Sequence, residues 1–178
     1  MPPPYNKQYL LNQLDNTSNT FVLGLVGATL LSDRKVLAGL PEQATFEILK
    51  VRFVSVLPLL FHPTDAPLAI SEFLKLLFRA LLKESFEHIK AYSRHVGRFD
   101  KMRQAPWYDF ARLIRNCLTH DGRFRFNKGD IRVLPVTWHG KCLDCSMTDQ
   151  EMRFDFFDTG DGWALFHEMR SWAEAELA

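Results

Sequence analysis

Cysteine is scarce in this chain: Cys117, Cys142 and Cys145 are the three in 178 residues, and they do not make a disulfide framework. Long apolar runs are missing too. The longest, residues 20–31, carries Gly24 and Gly27 and falls short of the ~20 residues a membrane-spanning helix needs. The N-terminal residues 1–11 lack the basic-then-apolar order of a secretory signal. A cytoplasmic protein without a membrane segment is the expectation. Net charge is small, +1 at neutral pH, so the chain as a whole is not a polyelectrolyte binder. No internal repeat or low-complexity tract breaks it.

What is present is apolar. Hydrophobic residues make up 47% of the sequence and phenylalanine occurs 15 times, which excludes wholesale disorder. The length of 178 residues suits one domain with its own core. Charge is unevenly spread. Residues 83–125 hold ten basic and five acidic side chains, whereas 141–178 hold three basic and nine acidic. A polyanion would meet the central segment and avoid the tail. Two solvated helix faces of opposite sign would give the same pattern.

Periodicity predicts a mainly α fold. Asn16, Thr17 and Ser18 are N-cap types ahead of an apolar helix running to about residue 40. Phe46, Leu49, Phe53, Val56, Leu57 and Leu60 recur at helical spacing and predict a second helix over 42–61. A turn follows at 62–67. A third helix over 68–92 has a stripe of Ile70, Phe73, Leu74, Leu77, Leu81 and Phe86. Residues 96–105 read as a basic loop, and Pro106 opens a helix over 107–119 that Asp121-Gly122 ends. The period then changes. Strands are expected over 131–138, 141–147 and 152–157, followed by a turn at 158–162 and an amphipathic closing helix to 177. The expected architecture is a single domain over 1–178: a helical core at 17–122, an inserted antiparallel β-meander at 131–157, and a closing helix at 162–177. In all it is a bundle of four or five helices.

The helix over 107–119 carries the chemistry. Phe110, Leu113, Ile114, Cys117 and Leu118 share one apolar face. The opposite face carries Asp109, Arg112, Arg115, Asn116, Thr119 and, at the helix end, His120. Arg112, Asn116 and His120 are spaced by four and line up along the surface. An arginine offers phosphate a planar, permanently charged fork. A histidine moves protons near neutral pH, and an asparagine orients a neighbour or holds a phosphate oxygen. No pair of carboxylates sits beside the histidine, so no hard-metal site and no cofactor are expected. Such a trio suits metal-independent cleavage of a phosphodiester by its own 2′-hydroxyl, which requires RNA. Residues of these types at a helix end also complement the helix dipole and satisfy its last turn without any catalytic role.

The run Arg115-Asn116-Cys117-Leu118-Thr119-His120 resembles the Arg-Asn-x-x-x-His signature of the HEPN superfamily, and its surroundings, PWYDFARLIRNCLTHDG, are similar to those of that group. The later LPVTWHGK and the closing helix resemble plasmid- and phage-associated members with an inserted hairpin. The resemblance spans about residues 17–177. It implies a HEPN-like helical bundle and often ribonuclease activity in a toxin, phage-defence or plasmid-maintenance setting. Arg115 and His120 would then be the catalytic pair and Asn116 the polar residue beside it. It also implies a homodimer, with two such helices facing each other, and an antitoxin or other protein partner. No residue is matched to the additional upstream acidic group that some members use. The alternative is a non-catalytic HEPN-like module that binds RNA or a protein through the same face.

Arg112, Tyr108, Thr119 and Arg123 are the candidate RNA-binding residues, with Tyr108 near the polar face as a stacking platform. Arg94, Arg98, Lys101 and Arg103 would line an RNA path or simply solvate a loop. His139, Cys142 and Cys145 suggest zinc at first sight. Two cysteines three apart in one strand face opposite ways, so ordinary strand residues are expected instead. Asp155, Asp158 and Asp161 lack the closing glutamate of a calcium loop and read as a turn.

Overall fold

The computed structural model describes residues 5–33, 35–36, 44–46, 51–53 and 65–177. The protein is mainly helical. Among the described residues six helices are joined by two small antiparallel two-stranded sheets. The order is α1 (Lys7–Ser32), β1 (Ala44–Phe46), β2 (Val51–Phe53), α2 (Asp65–His95), α3 (Phe99–Arg103), α4 (Tyr108–Thr119), α5 (Lys128–Ile131), β3 (Val136–Trp138), β4 (Lys141–Leu143) and α6 (Thr159–Glu176). No described helix is long and apolar enough to cross a membrane. The chain divides into two compact units, Met1–Asn19 with Phe78–Ala178, and Thr20–Leu77.

Several boundaries differ from the sequence expectation, each for a local reason. Helix α1 starts about ten residues early because Asn6 caps it, its Oδ1 accepting from Tyr9 N at 2.9 Å. Thr17 and Ser18 are helix interior. Their hydroxyls donate back to the Gln13 and Asp15 carbonyls at 2.9 Å, which removes them from capping. The expected continuation over 37–40 lies outside the described residues. Within the helix expected over 42–61, residues 44–46 and 51–53 are instead paired antiparallel strands, with Ala44 opposite Phe53 and Phe46 opposite Val51. Apolar residues in short runs fit either period, and Val51-Arg52-Phe53 also alternates. The rest of 42–61 lies outside the described residues, as do 62–64. Helix α2 begins at Asp65, with Pro67 in its first turn, where a proline costs no hydrogen bond. The loop over 96–105 contains the one-turn helix α3.

The expected meander is reduced to β3 and β4, registered Val136↔Leu143 and Trp138↔Lys141. Ile131 belongs to α5 instead of a strand, because Asn127 and Asp130 form a capping box there. The third strand is absent. A single bridge joins Arg123 and Glu151, and residues 154–156 are turn. The expected turn at 158–162 is the start of α6. Asp158 caps it by accepting from Asp161 N at 2.9 Å, and Asp161 reciprocates to Asp158 N.

The core of the larger unit gathers Leu81, Phe86 and Ile89 of α2, Phe110, Leu113 and Ile114 of α4, and Leu165, Phe166 and Met169 of α6, all buried. Phe110 stacks on Trp138 with ring centroids 5.2 Å apart, which brings the β3–β4 hairpin onto α4. In the smaller unit α1 and α2 approach at Gly24, where an added Cβ would overlap the Leu77 side chain.

Gly162 packs its bare Cα under Phe78. A Cβ there would stand 2.6 Å from the ring Cζ. Alanine would gain up to about 1 kcal/mol of helix propensity, but overpacking costs about 1–3 kcal/mol. Phe78 is itself buried against Phe154 and Phe157 and has little room to give. Gly162→Ala is therefore expected to lower stability by about 1–2 kcal/mol, read as a fall in the urea midpoint; an unchanged midpoint would mean that the ring moves freely.

Candidate functional site

Helix α4 forms as its sequence predicts. Tyr108, Phe110, Ala111, Leu113, Ile114, Cys117 and Leu118 are buried, and the opposite face is polar. Its end is built by two successive left-handed residues, Asp121 (φ 55°) and Gly122 (φ 72°). Gly122 N donates to the Cys117 carbonyl at 3.1 Å, closing the last turn in the way a helix-ending glycine does. His120 is the C-cap. Its backbone N–H donates to the Asn116 and Cys117 carbonyls, and its side chain is exposed.

The structure brings Arg115 and Asn116 together. Arg115 Nη1 donates to Asn116 Oδ1 at 2.8 Å. The other end of the guanidinium pairs with Glu87 of α2, which also holds Lys90 at 3.2 Å. The Arg115 Cζ lies 5.8 Å from the Phe86 ring centroid, and its Nε is buried with no hydrogen-bond partner. Burial lowers the Arg115 pKa from the ordinary arginine value; a group starting that high remains a cation. Glu87 is an acidic partner of Arg115 that the sequence does not single out. Nothing in local spacing marks it, since it lies 28 positions upstream on another helix.

Arg112 is held more tightly. It pairs with Asp109 one turn back, Nε to Oδ1 3.2 Å, and with Asp130. Asp130 is 1% exposed. It would be a costly buried charge without Arg112 and the Asn127 N–H, which donates to its Oδ2 at 3.0 Å. Burial works to lower the Arg112 pKa, but the hydrogen bonds and charges of Asp130 and Asp109 outweigh it, and the net shift is upward. Thr119 spends its hydroxyl on the Arg115 carbonyl at 2.8 Å. Arg123 is exposed and donates to the Asp149 carbonyl at 3.1 Å.

Tyr108 departs from its expected role. It is buried, and its ring packs against Phe86 at 5.7 Å and Trp107 at 6.3 Å, so it is not a free stacking platform. Helical spacing put it near the polar face, yet the α2 side of that face is covered. Burial raises the pKa of its hydroxyl. That residue, Asp109, Arg112, Asn127 and Asp130 line an open cleft of about 650 Å³. Arg115, Asn116 and His120 are not among its walls. Arg115 and Asn116 are half-buried, and the His120 imidazole, one turn beyond Asn116, is exposed.

Cys142 and Cys145 do not share the strand expected to hold both, which ends at Leu143. Cys142 lies in β4 and Cys145 in the following 3-10 turn, both exposed. Among the described residues no three histidine, cysteine or carboxylate side chains gather as a metal site. No protein-family model, curated protein or solved structure matches the chain. The likeness to HEPN proteins therefore rests on the motif and its position at the end of α4.

Two expectations follow. Asp130→Asn keeps the shape but leaves Arg112 with Asp109 alone. Breaking a buried pair costs about 3–5 kcal/mol, and the retained partner places this change near the lower figure; a loss below about 1 kcal/mol, the scale of a surface pair, would show the link to be dispensable. The Cys117 thiol is pushed up to about 12 by burial. Cys142 and Cys145 should thus react with a thiol reagent in the native protein, while Cys117 reacts only after unfolding. Three fast thiols in the native state would contradict the packing of α4.

Proposed function

We propose that the protein is a metal-independent endoribonuclease of HEPN type. The observation that carries this is His120: an exposed imidazole at the end of α4, one turn beyond the hydrogen-bonded Arg115–Asn116 pair. In this reading the RNA 2′-oxygen attacks the adjacent phosphorus and gives up its proton. The bond to the 5′-oxygen breaks, and that oxygen takes a proton. The products are a 2′,3′-cyclic phosphate and a 5′-hydroxyl. Histidine is the side chain suited to both transfers. In a homodimer that faces two α4 helices, one His120 acts as base and the other as acid. Arg115 stabilises the charge that develops on phosphate, and Asn116 orients its guanidinium.

The setting proposed with this activity is a toxin, phage-defence or plasmid-maintenance role, with an antitoxin as the protein partner. A second reading has an observation of its own. Arg115 and Arg112 already hold carboxylates, so phosphate must displace Glu87 to use Arg115. That arrangement favours a non-catalytic HEPN-like module that binds RNA or a protein.

Incubating the purified chain with total RNA in chelator decides between them. Wild type should yield fragments ending in cyclic phosphate. His120→Ala should fold normally and lose at least about 100-fold in rate, the lower range for a general acid–base. Wild type that cuts no RNA, or His120→Ala that cuts as fast, would sink the nuclease and leave the binding module.

A further inference from the structure

Arg112 and Arg115 stand out in the sequence, yet both are neutralised by carboxylates. Four cations immediately downstream are not. After Gly122 the chain runs Arg123-Phe124-Arg125-Phe126-Asn127. Phe124 is fully buried and Phe126 half-buried, while Arg123 and Arg125 are exposed. Successive residues of extended chain face opposite sides. The two phenylalanines, 5.7 Å apart, hold the segment down, and both arginines stand out on the other side. Helix α5 follows, capped by Asn127. Lys128, its first residue, and Arg132, its C-cap, are both exposed.

Among the described residues no carboxylate pairs with Arg123, Arg125, Lys128 or Arg132. Arg123 donates only to a neutral carbonyl, that of Asp149. Asp130 is the one acidic residue within 123–132, and it is committed to Arg112. The strip is also fastened to the end of α4, since Arg123 N donates to the His120 carbonyl at 3.0 Å.

We infer that Arg123, Arg125, Lys128 and Arg132 form a track for the phosphates of single-stranded RNA, leading away from His120. This deepens the ribonuclease reading and rests on it. Residues two apart in extended chain stand about 6.6 Å from each other, close to the step between phosphates of an extended strand. Ile131 and Val133 are exposed beside the cations and offer apolar surface to bases. The buried Asp130–Arg112 pair keeps the one carboxylate within 123–132 from competing with the incoming phosphates. A strip that starts at the acid–base residue suits a polymer threaded past it better than a lipid surface.

The test uses the full chain and a fluorescent 2′-O-methyl RNA strand, which cannot be cut, with anisotropy read over a range of salt. Wild type should bind, and more weakly as salt rises. Combined Arg125→Gln, Lys128→Gln and Arg132→Gln should weaken binding at least about tenfold. It should also flatten the slope of log affinity against log salt by about 2, since each phosphate contact to a single strand accounts for about 0.7. Equal binding by the triple variant, with its circular dichroism unchanged, overturns the track even if wild type cleaves RNA. Binding to phosphatidylserine vesicles or a phosphopeptide in place of RNA, or binding to none of these, overturns it too. If the strip binds but wild type never cleaves, the catalytic role of His120 fails and the track stands.

Discussion

The ion pair between Arg112 and the buried Asp130 is the constraint around which the polar half of this molecule is organised. It lets a carboxylate sit at 1% exposure. It also lets that carboxylate close the capping box with Asn127, which starts α5 in place of a strand. A charge of this kind is tolerable only when matched in charge and hydrogen bonding. Once matched, it joins α4 to a segment 18 positions away and holds the Arg123–Arg132 stretch beside the end of the helix.

The same logic sorts the arginines. Those on α4, Arg112 and Arg115, are drawn into internal pairs with Asp109, Asp130 and Glu87. Those that follow the left-handed turn at Asp121-Gly122 are carried outward by the burial of Phe124. Residue type alone marks all of them as phosphate binders. Partnership divides them into ties that hold the protein together and cations left facing water.

Legibility in the sequence follows the same division. Helix α4 is readable because one strong period runs through it, from Phe110 to Leu118, with a glycine to stop it. Helix α6 is readable for its apolar residues, but its first turn is hidden by a capping box that looks like an acidic turn. The segment around Phe46 and Phe53 misleads because few apolar residues over a short run satisfy two periods. The makeup of the candidate site is legible, since types and spacing are local. Its pairings are not: Glu87 and Asp130 reach it only through folding, and the burial of Tyr108 depends on Phe86 of α2. The fate of Phe154 and Phe156, expected in a strand, is settled by where the chain must turn to enter α6.

The contact between Arg115 and Glu87 has a consequence for how any phosphate would be received there. The guanidinium arrives with its own internal counterion, so binding at that point is an exchange of one anion for another. Ions shed from the surrounding electrolyte, which drive association at bare cations, contribute little to such a swap. Its strength is set by how readily α2 lets its glutamate go, and the protein thereby holds a threshold on that arginine that dilution of the buffer does not lower.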